Sequence, residues 1–324
     1  MKTTFFKKLL DPLAYLFWRT QIAILRACPP LCGVVSKYSL GAANSPLVWM
    51  KTLLQLAART PHALFDHCSN RWHDRMVLAR VTFLVTTRCT LNCDKCLSYI
   101  PDIKHHKDTP LDDMARDLEN LLAGVDYIYA FIFTGGEAFL HPDLDQIIRL
   151  CADSGKIGSV SVQSNGTVIP GAKLLAALRE TKTLVKISNY PNAQPDVEKL
   201  KRVLEGNDIR YTHISGTLWD DSGAFGQRQA GSEERRFGIC VQQLCMPCFN
   251  GKLHRCATAA ILMEEGRIPD CRDECVDLRT AIPTALRTQW NALMKKRSLT
   301  ACSYCLGMTY KTPKIPVAVQ RARK

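Results

Sequence analysis

Nowhere do these 324 residues offer the roughly 18–20 consecutive uncharged apolar positions that a membrane span requires. No spanning helix is expected. Low-complexity tracts are missing too, which sets the chain apart from disordered proteins. No charged-then-apolar leader with a small-residue cleavage site opens it, so the expected location is cytoplasmic. A basic stripe interleaved with aromatics is also lacking. The net charge of +13, from 43 basic and 30 acidic residues, therefore does not by itself point to nucleic acid. It suits an anionic substrate, an acidic redox partner or an acidic membrane surface equally well.

What the chain has in excess is cysteine, with fifteen. A chain this long and 46% hydrophobic buries a full core and has no need of a disulfide scaffold. The cysteines also cluster at short spacings. Metal ligation in a reducing compartment is the better reading.

From residue 77 the pattern is regular. Apolar, β-branched runs at 77–87, 127–133, 158–164, 184–188 and 209–215 alternate with helical stretches. Thr109 is expected to cap the first helix, with Pro110 following and Asp112 and Asp113 in its opening turn. Met114, Leu118, Leu121, Leu122 and Val125 then form the inward stripe, and Leu144, Ile147, Ile148 and Cys151 repeat it, as do Val197, Leu200 and Leu204. Such alternation predicts an α/β fold with a parallel sheet, open or barrel-like, and functional groups just past the carboxyl ends of the strands. Residues 1–75 read as a helical extension broken at Pro12. It either caps the main domain or presents Phe5, Phe6, Leu9 and Trp18 to a membrane surface. Residues 217–236 read as a polar linker or lid, and 311–324 as a loose basic tail.

The chemistry gathers at the strand ends. Cys89, Cys93 and Cys96, spaced C-x3-C-x2-C, follow the first strand. Structural zinc takes four protein ligands, and no fourth Cys or His lies at ligand spacing; His105 and His106 come nine and ten residues later. A [4Fe–4S] centre held by three thiolates keeps one iron open. The second strand runs into Gly135–Gly136–Glu137, where paired glycines permit close backbone approach. The third ends in Asn165 and the fourth in Ser188 and Asn189, polar groups suited to ribose or carboxylate contacts.

On these residues, 77–216 resemble the core of the radical S-adenosylmethionine (radical SAM) superfamily. The resemblance implies a partial (β/α)6 TIM-like barrel over 76–236. It further implies that Cys89, Cys93 and Cys96 ligate a [4Fe–4S] cluster whose open iron chelates S-adenosylmethionine. Gly135, Gly136 and Glu137 would hold the methionyl amino group, and Ser188 and Asn165 would face the ribose. Where the family carries an aromatic before the third cysteine, this chain has Lys95; Tyr99 is the nearest substitute for packing adenine.

Residues 237–310 form a Cys-rich extension. Cys240, Gly251 and Cys256, with the distant Cys302-x2-Cys305 pair, are similar to the SPASM and twitch auxiliary-cluster extensions of the superfamily, in which cysteines flank a hairpin. The resemblance implies a second [4Fe–4S] cluster on Cys256, Cys302, Cys305 and one of Cys240, Cys245 or Cys248. Cys271 and Cys275 are either ligands to a further metal or free thiols. The implied function is hydrogen abstraction from a small polar substrate, a sugar-like or nucleotide-sugar alcohol, ending in oxidation or epimerisation. A flavodoxin- or ferredoxin-like donor would supply the electron. The alternatives are a radical SAM maturase acting on a peptide, and a non-enzymatic zinc-binding interaction module.

Overall fold

The structure, a computed structural model, describes residues 76–188, 190–193, 196–214, 218–223, 231–280, 282–309 and 311–322, with eight helical residues between 15 and 26. The expected membrane-facing residues Phe5, Phe6, Leu9 and Trp18, and the polar Asn189, lie outside the described residues, as do 215–217 and 224–230 of the linker. No helix among the described residues is long and apolar enough to cross a membrane.

Four strand–helix units and a fifth strand come first. β1 (Val77–Thr86) leads to α1 (Leu111–Gly124), β2 (Tyr127–Gly135) to α2 (Leu144–Asp153), and β3 (Val160–Ser164) to α3 (Ala172–Glu180). β4 (Leu184–Ser188) leads to α4 (Val197–Gly206), and β5 (Tyr211–Ile214) closes the series. These strands pair in sequence order and all in parallel. A short β6 (Leu218–Asp220) and α5 (Glu233–Gly238) follow. Next come β7 (Met246–Phe249), β8 (Lys252–His254), α6 (Ala257–Glu264), β9 (Cys275–Asp277), α7 (Pro283–Lys295) and β10 (Lys314–Pro316).

The main sheet has eight strands in the order β5-β4-β3-β2-β1-β7-β8-β9. It is an open, mostly parallel α/β sheet, with β5 and β9 at its edges, and not a closed barrel. β7 is a sixth parallel strand, but it pairs with β1 and not with β5. The Cys-rich extension is thus built onto the same sheet and buried in the same core, through Met246, Phe249, Leu253 and Val276. Asn250 and Gly251 make the β7–β8 turn with φ of 49° and 74°, the left-handed pair that a two-residue hairpin demands.

The inward stripe of α1 is buried at Met114, Leu118 and Leu121. Thr109 does not cap it. The helix starts after Pro110 without a side-chain cap, and Thr109 is tied instead to β1, its N–H donating to the Val85 carbonyl at 2.9 Å. One charged residue shares the buried face: Asp117, 1% exposed. Arg279 reaches it from beyond β9 with two hydrogen bonds, Nε at 2.9 Å and Nη2 at 3.0 Å. A Cβ on Gly251 would overlap the Arg279 side chain, so the turn glycine also clears the path of this fork.

Leaving Asp117 buried without its partner is costly. Arg279→Met is expected to lower folding stability by about 2–3 kcal/mol, and Asp117→Asn with Arg279→Met to recover part of that loss. Urea unfolding of wild type and the two variants measures both.

Candidate functional site

The loop after β1 carries Cys89, Cys93 and Cys96 to the carboxyl end of the sheet, and three strand ends brace it. Gly136 N–H donates to the Thr86 carbonyl and Glu137 N–H to the Arg88 carbonyl, each at 2.9 Å. These bonds require near contact of two backbones. A Cβ on Gly135 would overlap the Thr86 oxygen, and one on Gly136 the Arg88 oxygen. The paired glycines therefore serve to zip the cysteine loop to β2.

Glu137 is fully buried and does not line the cavity described below. Its carboxylate accepts the Asn165 N–H at 2.7 Å and the Phe139 N–H at 3.1 Å, joining the ends of β2 and β3. Burial pushes its pKa up to about 7, against the pull of these donors. Asn165 in turn donates through Nδ2 to the Cys89 sulfur at 3.5 Å and to Thr90 Oγ1 at 3.2 Å, while Oδ1 accepts from Thr167. In this structure Glu137 is a brace for the loop and Asn165 a donor to a cysteine.

The three thiols border a cavity of about 360 Å³. Gly135, Gly136, Gln163, Asn165, Ser188 and Lys95 also line it, with Tyr190, Trp219, Arg80, Gln242, Cys245 and Met308. Ser188 lies within hydrogen-bond reach of Gln163 Nε2 at 3.4 Å and of the Tyr190 phenol. Tyr190 and Trp219 meet edge to face with centroids 5.5 Å apart, and burial pushes the Tyr190 phenol up. Lys95 has φ of 53° and its ammonium sits 3.7 Å from Asp221, so this unusual residue is a charged part of the wall. Tyr99 is not available to adenine. It is 1% exposed and its hydroxyl faces Thr258 at 3.4 Å, on the side of Cys256 and Cys305. His105 and His106 are exposed.

Each thiol has its own donors. Cys89 has Leu91 N–H at 3.4 Å and Asn165, Cys93 has Gln320 Nε2 at 3.1 Å, and Cys96 has the Ser98 and Ile100 backbone. Burial pushes the Cys89 thiol up to about 11 against those donors. Such a set fits a thiolate-ligated anionic centre, in which hydrogen bonds to sulfur offset the charge that burial disfavours.

A second cavity is bordered by Cys240, Cys256, Cys302 and Cys305, with Phe237 and Met308. Cys245 is not among them. It opens onto the first cavity, with its sulfur against the Arg80 guanidinium, so of the three candidates left open by the spacing, Cys240 is the one that borders the second cavity. The reason is geometric: Cys240 precedes the 3-10 turn Val241–Leu244, whereas Cys245 sits at the entry to β7. Cys248 is buried, pushed up by that burial and by Asp117 nearby. Cys271 contacts Thr300 Oγ1 at 3.2 Å, and Cys275 the Arg272 carbonyl at 3.7 Å. Among the described residues, no three His, Cys, Asp or Glu side chains converge as they would on a single ion.

Arg255 tests what the second cavity can hold. It is fully buried. Nη1 donates to the Leu293 and Lys296 carbonyls at 2.8 and 3.1 Å, and its face covers the Phe237 ring at 4.7 Å. Nε and Nη2 have no hydrogen-bond partner among the described residues. Burial lowers its pKa to about 10, while Cys302 and Cys256 pull the other way. A buried guanidinium without a counter-charge is expensive. Four deprotonated thiols beside it would supply that charge, so the donor set fits an all-cysteine iron–sulfur cluster.

With this geometry in place, the parallel core can be compared with known proteins. The family model of the Radical SAM superfamily matches residues 83–215. This segment is similar to the radical SAM superfamily. Two curated relatives overlap it. One, 7,8-dihydro-6-hydroxymethylpterin dimethyltransferase of Methanocaldococcus jannaschii, is 31% identical over 96 residues, covering 30% of this chain and 19% of the relative. The other, GTP 3′,8-cyclase of Chlorobaculum tepidum, is 30% identical over 95 residues, 28% of this chain and 26% of the relative. The chain thus matches about a fifth and a quarter of their lengths. Among solved structures, "Native anSMEcpe with bound AdoMet" covers 70% of this chain and 82% of its own, at TM-score 0.47 and 10% identity.

Sequence reasoning missed Tyr190, Trp219, Arg80 and Gln320. Tyr190 directly follows the polar strand end it belongs with and was legible there. The other three reach the site only through tertiary folding.

Glu137→Gln would keep an acceptor for one backbone N–H group and set an amide donor against the other. It is expected to cost about 1–3 kcal/mol and to lower the melting temperature of the iron-free protein, which differential scanning calorimetry records.

Proposed function

We propose that the chain is a radical SAM enzyme that carries a second, auxiliary [4Fe–4S] cluster and oxidises or epimerises a small polar molecule. The observation that carries the reading is the shared wall between the two cavities. Gln242 and Met308 line both, and Gln242 Nε2 lies 2.7 Å from the Met308 sulfur. One layer of side chains separates the three-thiol site from the four-thiol site. When bound, the loop cluster supplies the electron that splits S-adenosylmethionine into methionine and a hydrogen-abstracting 5′-deoxyadenosyl radical.

The residues of this chain would do the rest. Cys89, Cys93 and Cys96 hold the loop cluster, with one corner left to the cosubstrate. Ser188 and the Tyr190–Trp219 pair offer a hydroxyl and an aromatic wall for the nucleoside part. Gln163, Gln242 and Arg80 present polar groups deeper in the same cavity, which favours a hydrophilic substrate. A cavity of this size suits a small molecule better than a folded partner. Both curated relatives are named for acting on small polar ring compounds, a pterin and GTP, in keeping with that choice. Cys240, Cys256, Cys302 and Cys305 would close the auxiliary cluster on all four corners. Held there, behind the Gln242–Met308 wall, such a cluster would supply an electron acceptor for the oxidative outcome. A flavodoxin- or ferredoxin-like donor would feed the loop cluster, and an acidic one would suit the net charge of +13.

Anaerobic reconstitution tests the reading. Cys93→Ala is expected to abolish 5′-deoxyadenosine formation. Cys302→Ala with Cys305→Ala should keep that formation and lose about four irons per chain, together with product. Cys245→Ala should retain the full iron content. A double variant with unchanged iron would refute the auxiliary cluster. A colourless wild-type protein loaded with zinc would refute the whole reading.

A further inference from the structure

Residues 311–322 are not the loose tail that their composition suggests. β10 pairs with β6, Val317 and Ala318 are buried against Cys93, and the Val317 carbonyl accepts from Asn192 Nδ2 at 2.6 Å. The backbone then runs antiparallel to the cysteine loop at Cys93 and Gln320. Asp94 N–H donates to the Val319 carbonyl at 2.6 Å, and Arg321 N–H to the Asn92 carbonyl at 2.8 Å. Arg321 secures the far end, with Nε on Asp94 Oδ1 at 3.0 Å and Nη1 and Nη2 on the Asp102 carboxylate at 2.8 and 3.2 Å. Charge-assisted forks of this kind fix orientation as well as position.

Gln320 lies inside this clamp. Its Oε1 accepts the Asn92 N–H at 2.9 Å, which sets the amide so that nitrogen faces the other way. The two Nε2 hydrogens then go to Cys93 Sγ at 3.1 Å and to the Ala318 carbonyl at 2.8 Å. The side-chain donor to Cys89 comes from the parallel core, and the donors to Cys96 are backbone of its own loop. Only Cys93 draws its side-chain donor from a segment 227 residues away.

We infer that Gln320 is a positioning residue of the loop cluster: its amide holds the Cys93 sulfur and raises the cluster's reduction potential. The inference rests on the radical SAM reading above. A hydrogen bond to a ligating sulfur withdraws charge from it, and so favours the reduced, more negative state. The strap is the device that delivers this bond: the Arg321 and Val319 anchors lay the backbone along the loop, and the Asn92 N–H then sets the Gln320 amide toward Cys93.

The discriminating variant is Gln320→Met, which keeps the length of the side chain and removes the amide while leaving both anchors. In the reconstituted protein, an EPR-monitored redox titration should show the midpoint of the loop cluster shifted to lower potential, with an altered spectrum of the reduced centre. Loss of the loop iron from this variant alone would support the same role. In the iron-free chain, hydrogen exchange at Asp94 N–H should stay slow in wild type and in Gln320→Met, and should lose its protection in Arg321→Ala. A Gln320→Met protein with wild-type potential and spectrum overturns the role of Gln320. Equal exchange in Arg321→Ala and wild type overturns the docked strap. A wild-type chain that takes no iron on the loop would instead sink the cluster reading, and the exchange data on the iron-free chain would still decide the strap.

Discussion

The cysteine loop depends on one buried carboxylate. Glu137 spends both oxygens on backbone N–H groups from two strand ends, while its own N–H holds the loop at Arg88. A carboxylate with no water to satisfy it has to find donors, and here the donors are the very segments that must be brought together. Asn165, fixed by that bond, then reaches Cys89. Position is passed from strand to carboxylate to amide to sulfur, each step by a directional bond.

The two groups of thiols differ in what surrounds them. The loop cysteines border a cavity with polar walls, open to hydroxyls and amides of neighbouring strands. The other four are enclosed by Phe237, Ala301 and Met308, with Arg255 buried behind them. The first setting can admit another molecule. The second is closed and mostly apolar, and among the described residues its neighbour Arg255 has no carboxylate partner.

Much of the parallel core was legible because its strands are buried on both sides and read as apolar runs, and because the helices between them repeat one stripe. The cysteine loop stood out through its spacing together with the Gly135–Gly136–Glu137 segment and the polar groups at the next strand ends. Other features resisted for physical reasons. Thr109 has the chemistry of a cap, yet tertiary bonding to β1 claimed it. The choice between Cys240 and Cys245 could not be made from spacing, since both fit a hairpin bearing Gly251; the backbone direction at the entry to β7 decides it. The pairing of β7 with β1 is a long-range choice that leaves no local signal. The polar ends Asn165 and Ser188 were found, but the bonds that Asn165 makes to Cys89 and Thr90 depend on packing that no motif encodes.

The pairing of the cysteine loop with the strap also orders events in time. Asn92 and Arg321 are 229 residues apart in the chain. During synthesis, the sheet from β1 to β5 can form long before the strap exists, since its contacts are between neighbouring units. The loop therefore waits, braced on the β2 and β3 side and uncovered on the other, until translation has passed residue 321. Contacts that span so much sequence form late and slowly. In the cell, the interval between emergence of the core and arrival of the strap is when the three thiols are most accessible, both to an iron donor and to oxidants.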